Sequence, residues 1–140
     1  GDQIRTPQIS MCTSAVSKIP AVRAFLLDLQ RDIAVKHNIL MDGRDIATVV
    51  LPNADLKVFL FASAECRAER RYKELVEKGQ NVTYDDVLAD IKQRDYQDSH
   101  REIAPLKPAE DAVMFDTTGY DLPTSIDKMI GLIHERFGEV

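Results

Sequence analysis

The sequence predicts an α/β layered fold with a parallel sheet, and three observations carry that expectation. Short apolar runs at Ile39–Met41, Val58–Phe61 (within Lys57–Ala62) and Ala112–Phe115 show little alternation, as strands buried on both faces do. Segments of helical periodicity separate these runs, which implies crossover connections and parallel pairing. The first run feeds directly into Asp42-Gly43-Arg44-Asp45, a polar turn at the carboxyl end of a strand, where open α/β sheets bind ligands.

Each element has a local reason. Thr6-Pro7 is an N-cap and first-turn pair that opens a helix to about Ser17. Pro20 starts a longer helix to about Lys36, with Val22, Phe25, Leu26, Leu29 and Ile33 at helical spacing. Leu51-Pro52-Asn53-Ala54-Asp55 is a turn before the second strand. Ala64–Lys78 is helical and stops at Gly79, while Thr83 caps a helix to about Ser99 with Asp86 in a weak capping-box position. Two prolines make Ala104–Glu110 a loop before the third strand, and Pro123–Phe137 is a closing amphipathic helix. No repeat, linker or low-complexity stretch interrupts this order.

At 140 residues the chain is expected to form a single domain over 1–140, long enough to bury a core. Its apolar fraction of 44% and charged fraction of 29% are ordinary for a soluble globular protein. A net charge of −5 argues against nucleic acid or an anionic membrane as a general partner. Cys12 and Cys66 are too few and too distant for a disulfide framework, and a reducing, cytoplasmic setting is the expectation. No apolar run approaches the roughly 18 residues of a membrane span, and no signal peptide is present.

Several residues carry possible chemistry. Val87, Ile91, Arg94, Asp98 and Arg101 share one helix face that is apolar in its first half and charged in its second. Unpaired charge is expensive to bury, so that end either projects into solvent or lines a polar cavity. Arg67, Arg70 and Arg71 stand at i, i+3 and i+4. They present three guanidinium forks suited to phosphate, or a solvated face among Glu65, Glu69 and Glu74. Arg44 between two aspartates is an anion-binding arginine beside a hydrogen-bonding carboxylate, or an ion pair bracing the loop. Ser10, Ser14 and Ser17 form a hydroxyl stripe of the kind surface helices often carry. His37, His100 and His134 show no ligand spacing, and no metal-ligand set is expected.

Together these pieces resemble the bacterial cytidylate kinase family, which phosphorylates CMP and dCMP. The resemblance lies in "IRTPQIS", "VSKIPAVRAFLLDLQR", "MDGRDIATVVLPNADLKVFLFASAECRAERR" and "DIKQRDYQDSHREIAPLKPAEDAVMFDTT", in the family's order and over nearly the whole chain. The segments GRD-x-x-TVV-x-P and R-D-x-x-D-x-x-R-x-x-APL are its most specific parts. The resemblance implies that Ser14, Arg23 and Asp45 read the cytosine edge, and that Arg94 and Asp98 hold the ribose hydroxyls. It places Arg44 and Arg101 on the CMP phosphate. Arg67, Arg70 and Arg71 fall in a lid-like segment, about 64–82, that closes over the transferring phosphoryl group. Residues 1–7 resemble the tail of the family's CMP-binding insert. ATP and Mg2+ are implied for the complete enzyme, with neither expected to bind this chain tightly.

Two departures accompany the resemblance. Ala47 replaces the glycine usual after "GRDI". The family's phosphate loop, G-x-x-x-x-G-K-[ST], would precede Gly1, and the six glycines at 1, 43, 79, 119, 131 and 138 cannot form one. The implied fold is therefore an incomplete parallel-sheet nucleoside monophosphate kinase fold of the P-loop NTPase-like class with flanking helices. The chain would be its C-terminal portion, inactive alone. In the family, the strand leading to that loop lies between those at Ile39 and Val58. Its removal would leave unpaired edges, to be filled by the N-terminal half or a second copy of the chain. Two other functions stay open. One is a non-catalytic nucleotide-binding or assembly module; the other is a magnesium-dependent phosphohydrolase using Asp42 and Asp45.

Overall fold

A computed structural model describes residues 9, 12, 13, 16, 19–100 and 105–138. The chain divides into two compact units, Gly1–Asp42 and Gly43–Val140. In the first, residues 9, 12, 13 and 16 are helical, and most of the helix expected over 6–17 lies outside the described residues. Helix α1 spans Pro20–Lys36 with proline in its first turn, where the lost N–H has no helical partner in any case. It ends where His37 turns extended, its N–H still donating to the Ile33 carbonyl. No residue of α1 is buried; Phe25, Leu26, Leu29 and Ile33, the expected core stripe, are exposed.

Residues 39–41 differ from the expected strand. They form no ladder, and Leu40 is 96% exposed. An apolar run becomes a strand only when another strand satisfies its backbone groups, and periodicity along one segment cannot show whether that partner is present.

The second unit begins with a π-helical turn, Ile46–Val50. It continues through β1 (Val58–Phe61), α2 (Ala64–Glu77), α3 (Tyr84–His100), β2 (Val113–Asp116) and α4 (Leu122–Phe137). Strands β1 and β2 pair in parallel, from Val58 opposite Val113 to Phe61 opposite Asp116. The expected order of elements holds, with boundaries moved by a residue or two. Among the described residues the sheet has these two strands, so the α/β parallel class is evident.

The caps explain several boundaries. Ser63 Oγ accepts from the Cys66 N–H to start α2, and Gly79, at φ +74°, ends the turn that follows it. Thr83 Oγ1 accepts from the Asp86 N–H and donates to its carboxylate. Asp121 accepts from the Thr124 N–H at the head of α4. The core is small: Val50, Ala62, Ala68, Val87 and Phe115 are buried, together with Lys57 and Thr117. Ala68, wholly inaccessible, lets α2 and α3 approach, and Tyr72 meets Tyr84 edge-on across the two helices. Leu60, in the middle of β1, remains 60% exposed.

Candidate functional site

The site is built at the carboxyl ends of the two strands. Helix α2 starts two residues after β1, so its first turns overhang that end. Arg67 Nε donates to the Ala62 carbonyl at 2.9 Å, and its two terminal nitrogens donate to Asp95 of α3 at 2.9 and 2.6 Å. Arg70 turns toward the other strand, donating to the carbonyls of Thr117 at 2.7 Å and Tyr120 at 2.9 Å. Arg71 pairs with Glu74 on its own helix at 2.8 Å. The three arginines share a helix face, yet each guanidinium has a different class of partner.

The second half of the cluster is local to the π-turn and α3. Gly43 approaches Ile46 so closely that an added Cβ would lie 2.7 Å from Ile46 Cγ1. That close approach brings the chain from Arg44 into the π-turn, where the N–H groups of Val49 and Val50 both donate to the Asp45 carbonyl. Single π-turns recur at functional positions because they reposition one side chain within a helical segment. Arg44 Nε donates to Asp98 Oδ2 at 2.6 Å, and Arg94 Nε lies 4.0 Å from the same oxygen. Asp98 stands one helical turn beyond Asp95, so the carboxylates that receive Arg44 and Arg67 lie on one face of α3.

The electrostatics follow the geometry. Hydrogen bonds from Arg67 hold the Asp95 carboxyl below the usual range, and Asp95 in turn raises the Arg67 guanidinium. Glu74 is lowered to about 2, first by its hydrogen bond from Lys78 and then by that from Arg71. These carboxylates are anionic at neutral pH and compete with an anionic ligand for their arginines.

Of the residues singled out in the sequence, Arg44, Arg94 and Asp98 come together directly. Arg67 joins them through Asp95, and Asp45 sits at the head of the adjoining π-turn. Arg70 and Arg71 turn to other partners. Arg23 lies half-buried in the first turn of α1 and belongs to the other unit. Ser10, Ser14, Ser17 and Arg101 lie outside the described residues.

Sequence reasoning missed Asp95, although its i, i+3 spacing from Asp98 was a usable signal. It also missed the carbonyls of Ala62, Thr117 and Tyr120, which no side-chain pattern reveals. A cleft of about 840 Å³ opens beside Arg70, with Leu60, Phe115, Tyr120, Ile126 and Ile130 among its walls. Among the described residues, no three of His, Cys, Asp or Glu converge as a metal-ligand set. No helix among them is long and apolar enough to cross a membrane.

The fold and this cluster define an α/β protein with guanidinium–carboxylate pairs gathered at the carboxyl ends of parallel strands. The sequence model of the family described as cytidylate kinase matches residues 1–135. A cytidylate kinase of Thermosipho melanesiensis is 48% identical over 136 residues, covering 97% of this chain and 63% of that protein. One from Streptococcus mutans is 55% identical over 119 residues, covering 85% of this chain and 52% of that protein. The chain thus spans between about half and just under two thirds of the length of these curated relatives. The chain belongs to the cytidylate kinase family.

Proposed function

We propose that this chain supplies the acceptor side and part of the lid of a cytidylate kinase, which transfers a phosphoryl group from ATP to CMP or dCMP. The observation that carries this reading is the convergence of Arg44, Arg94 and Asp98 beside the π-turn that Asp45 heads. Arg44 is suited to a phosphate dianion, Arg94 and Asp98 to ribose hydroxyls, and the Asp45 carboxylate to the cytosine amino group. Ser14, Arg23 and Arg101 complete the acceptor set by family resemblance.

In the reaction, an oxygen of the CMP phosphate attacks the γ-phosphorus of ATP in line. The bond to the bridging oxygen breaks, leaving ADP and CDP. No protein base is needed because the nucleophile is already anionic, so positioning and charge neutralisation carry the catalysis. Arg67, Arg70 and Arg71 would supply part of that neutralisation by leaving Asp95, the strand-end carbonyls and Glu74 for phosphoryl oxygens. Magnesium, which the family implies for the complete enzyme, would neutralise the donor phosphates. The ATP-holding half is supplied by polypeptide equivalent to the part of its relatives outside the match.

Two measurements test this. The chain, mixed with a separately produced N-terminal part of a relative, is expected to form ADP from ATP in the presence of CMP. Two folded, associated partners without turnover would reject the reading. Asp45→Ala is expected to weaken CMP at least tenfold while changing UMP much less, given roughly 1–3 kcal/mol for a good polar contact to a base. Equal losses for both nucleotides would remove Asp45 from base recognition.

A further inference from the structure

The two groups with the most direct assigned roles at this site are bonded to each other. Arg44 Nε, proposed for the phosphate, donates to Asp98, proposed for the ribose, at 2.6 Å. While this bond persists, Arg44 Nε and Asp98 Oδ2 are taken up by each other, and each competes with a nucleotide for the other.

From this geometry we infer that the Arg44–Asp98 pair is an internal counter-ligand, exchanged as a unit for a ligand that carries both a phosphate and sugar hydroxyls. The inference rests on the acceptor-site reading and adds to it a source of selectivity. Asp98 is the more enclosed partner, with its side chain 20% exposed against 41% for Arg44. A bare phosphate that captures Arg44 leaves Asp98 with a lost hydrogen bond, and a carboxylate that is part-shielded from water is costly to strand. A free nucleoside offers hydroxyls to Asp98 but leaves Arg44 without an anion. A nucleoside monophosphate compensates both groups at once. Arg94, 4.0 Å from Asp98 and on the same helix, stays beside the carboxylate after Arg44 leaves, which lowers the cost of the exchange. The pair thus favours the whole nucleotide over either of its parts, although it opposes the binding of all three.

The contrast with Arg67 supports this assignment. Arg67 engages Asp95 with two nitrogens and Ala62 with the third, so three bonds are given up when it turns to a phosphoryl group. Arg44 reaches Asp98 through Nε alone, so one bond is lost when it swings to a phosphate.

The test is calorimetric titration of the 140-residue chain and its Asp98→Asn variant with inorganic phosphate, cytidine and CMP. The variant keeps the side chain's shape and removes its charge. Asp98→Asn is expected to bind inorganic phosphate roughly 1.5- to fivefold more tightly, the range of a partly exposed ion pair, and CMP less tightly. Unchanged or weaker phosphate binding, with the variant's thermal midpoint preserved, would overturn the counter-ligand and leave Asp98 a positioning residue only. If neither protein binds CMP, the acceptor-site reading fails and the selectivity inference falls with it; the phosphate arm then reports on the ion pair alone. An independent readout is the Arg44 Nε–H proton resonance, assigned by its loss in Arg44→Lys. It should move when CMP is added and in Asp98→Asn alike; a resonance unmoved by saturating CMP would overturn the exchange.

Discussion

Two cation–carboxylate pairs in the second unit meet at 2.6 Å, and they differ in how fully the cation is occupied. At the amino end, Lys57 and Asp111 join the residues that lead into β1 and β2. The Lys57 side chain is only 6% exposed, and its ammonium donates to both Asp111 oxygens and to the Pro52 carbonyl. All three donors of that ammonium are occupied, and the backbone beside it is paired too, with Val113 N–H donating to the Lys57 carbonyl at 2.8 Å. Beyond the carboxyl end, Arg44 is more exposed and engages Asp98 through one nitrogen. A saturated buried cation serves as a staple, whereas a cation with donors to spare can change partners.

The largest expected effect breaks the staple. Lys57→Ala removes a buried four-carbon stem and strands the Pro52 carbonyl, so stability should fall by about 1–3 kcal/mol in urea unfolding. The Arg44 Nε–H resonance should stay where it is. A variant of unchanged stability would show that the amino-end pair contributes no more than an ordinary surface ion pair. A moved Arg44 resonance would show that the two ends are coupled.

A smaller effect is expected at the turn that aims Arg44. In Gly43→Ala, the new methyl meets Ile46 Cγ1 at 2.7 Å, and a β-branched side chain, stiff at χ1, must shift to relieve it. About 1–2 kcal/mol of destabilisation is expected from such overpacking, together with a shift of the Arg44 resonance and weaker CMP binding. Normal stability with an unchanged resonance would mean that the close approach does not set the Arg44 direction.

The difference between the two ends also marks what the sequence could reveal. The second unit's helices and both of its strands were legible, because caps and apolar runs are local. Gly79 and Thr83 sit where a helix must stop or start, whatever surrounds them. The Arg94–Asp98 relation was legible for the same reason, since four residues make one helical turn. Both Lys57–Asp111 and Arg44–Asp98 span 54 positions, and no periodicity reaches that far. The expected strand at 39–41 failed on the same ground: a strand is completed by its neighbour. Family resemblance could suggest separate roles for Arg44 and Asp98 toward a nucleotide, but it gave no indication that the two would hold each other.

The smallest effect belongs to the pair that lies between these extremes. Arg67 holds Asp95 through two hydrogen bonds, yet both side chains keep substantial exposure, 36% and 43%. Solvent screening therefore limits the pair to a few tenths up to about 1 kcal/mol. The sign of its pH dependence follows from the depressed Asp95 carboxyl. Its stabilisation is fully present above the ordinary aspartate value of 3.8 and is lost as pH falls through the lower folded value. Wild type and Asp95→Asn should thus differ in urea midpoint at pH 6 to 7, and the gap should close as the pH falls below 3.8. A gap that persisted into strong acid would show that the Arg67 fork is held by packing and the Ala62 carbonyl rather than by charge. In that case Arg67 would be fixed like Lys57 at the far end of the sheet, and only Arg44 would be free to exchange.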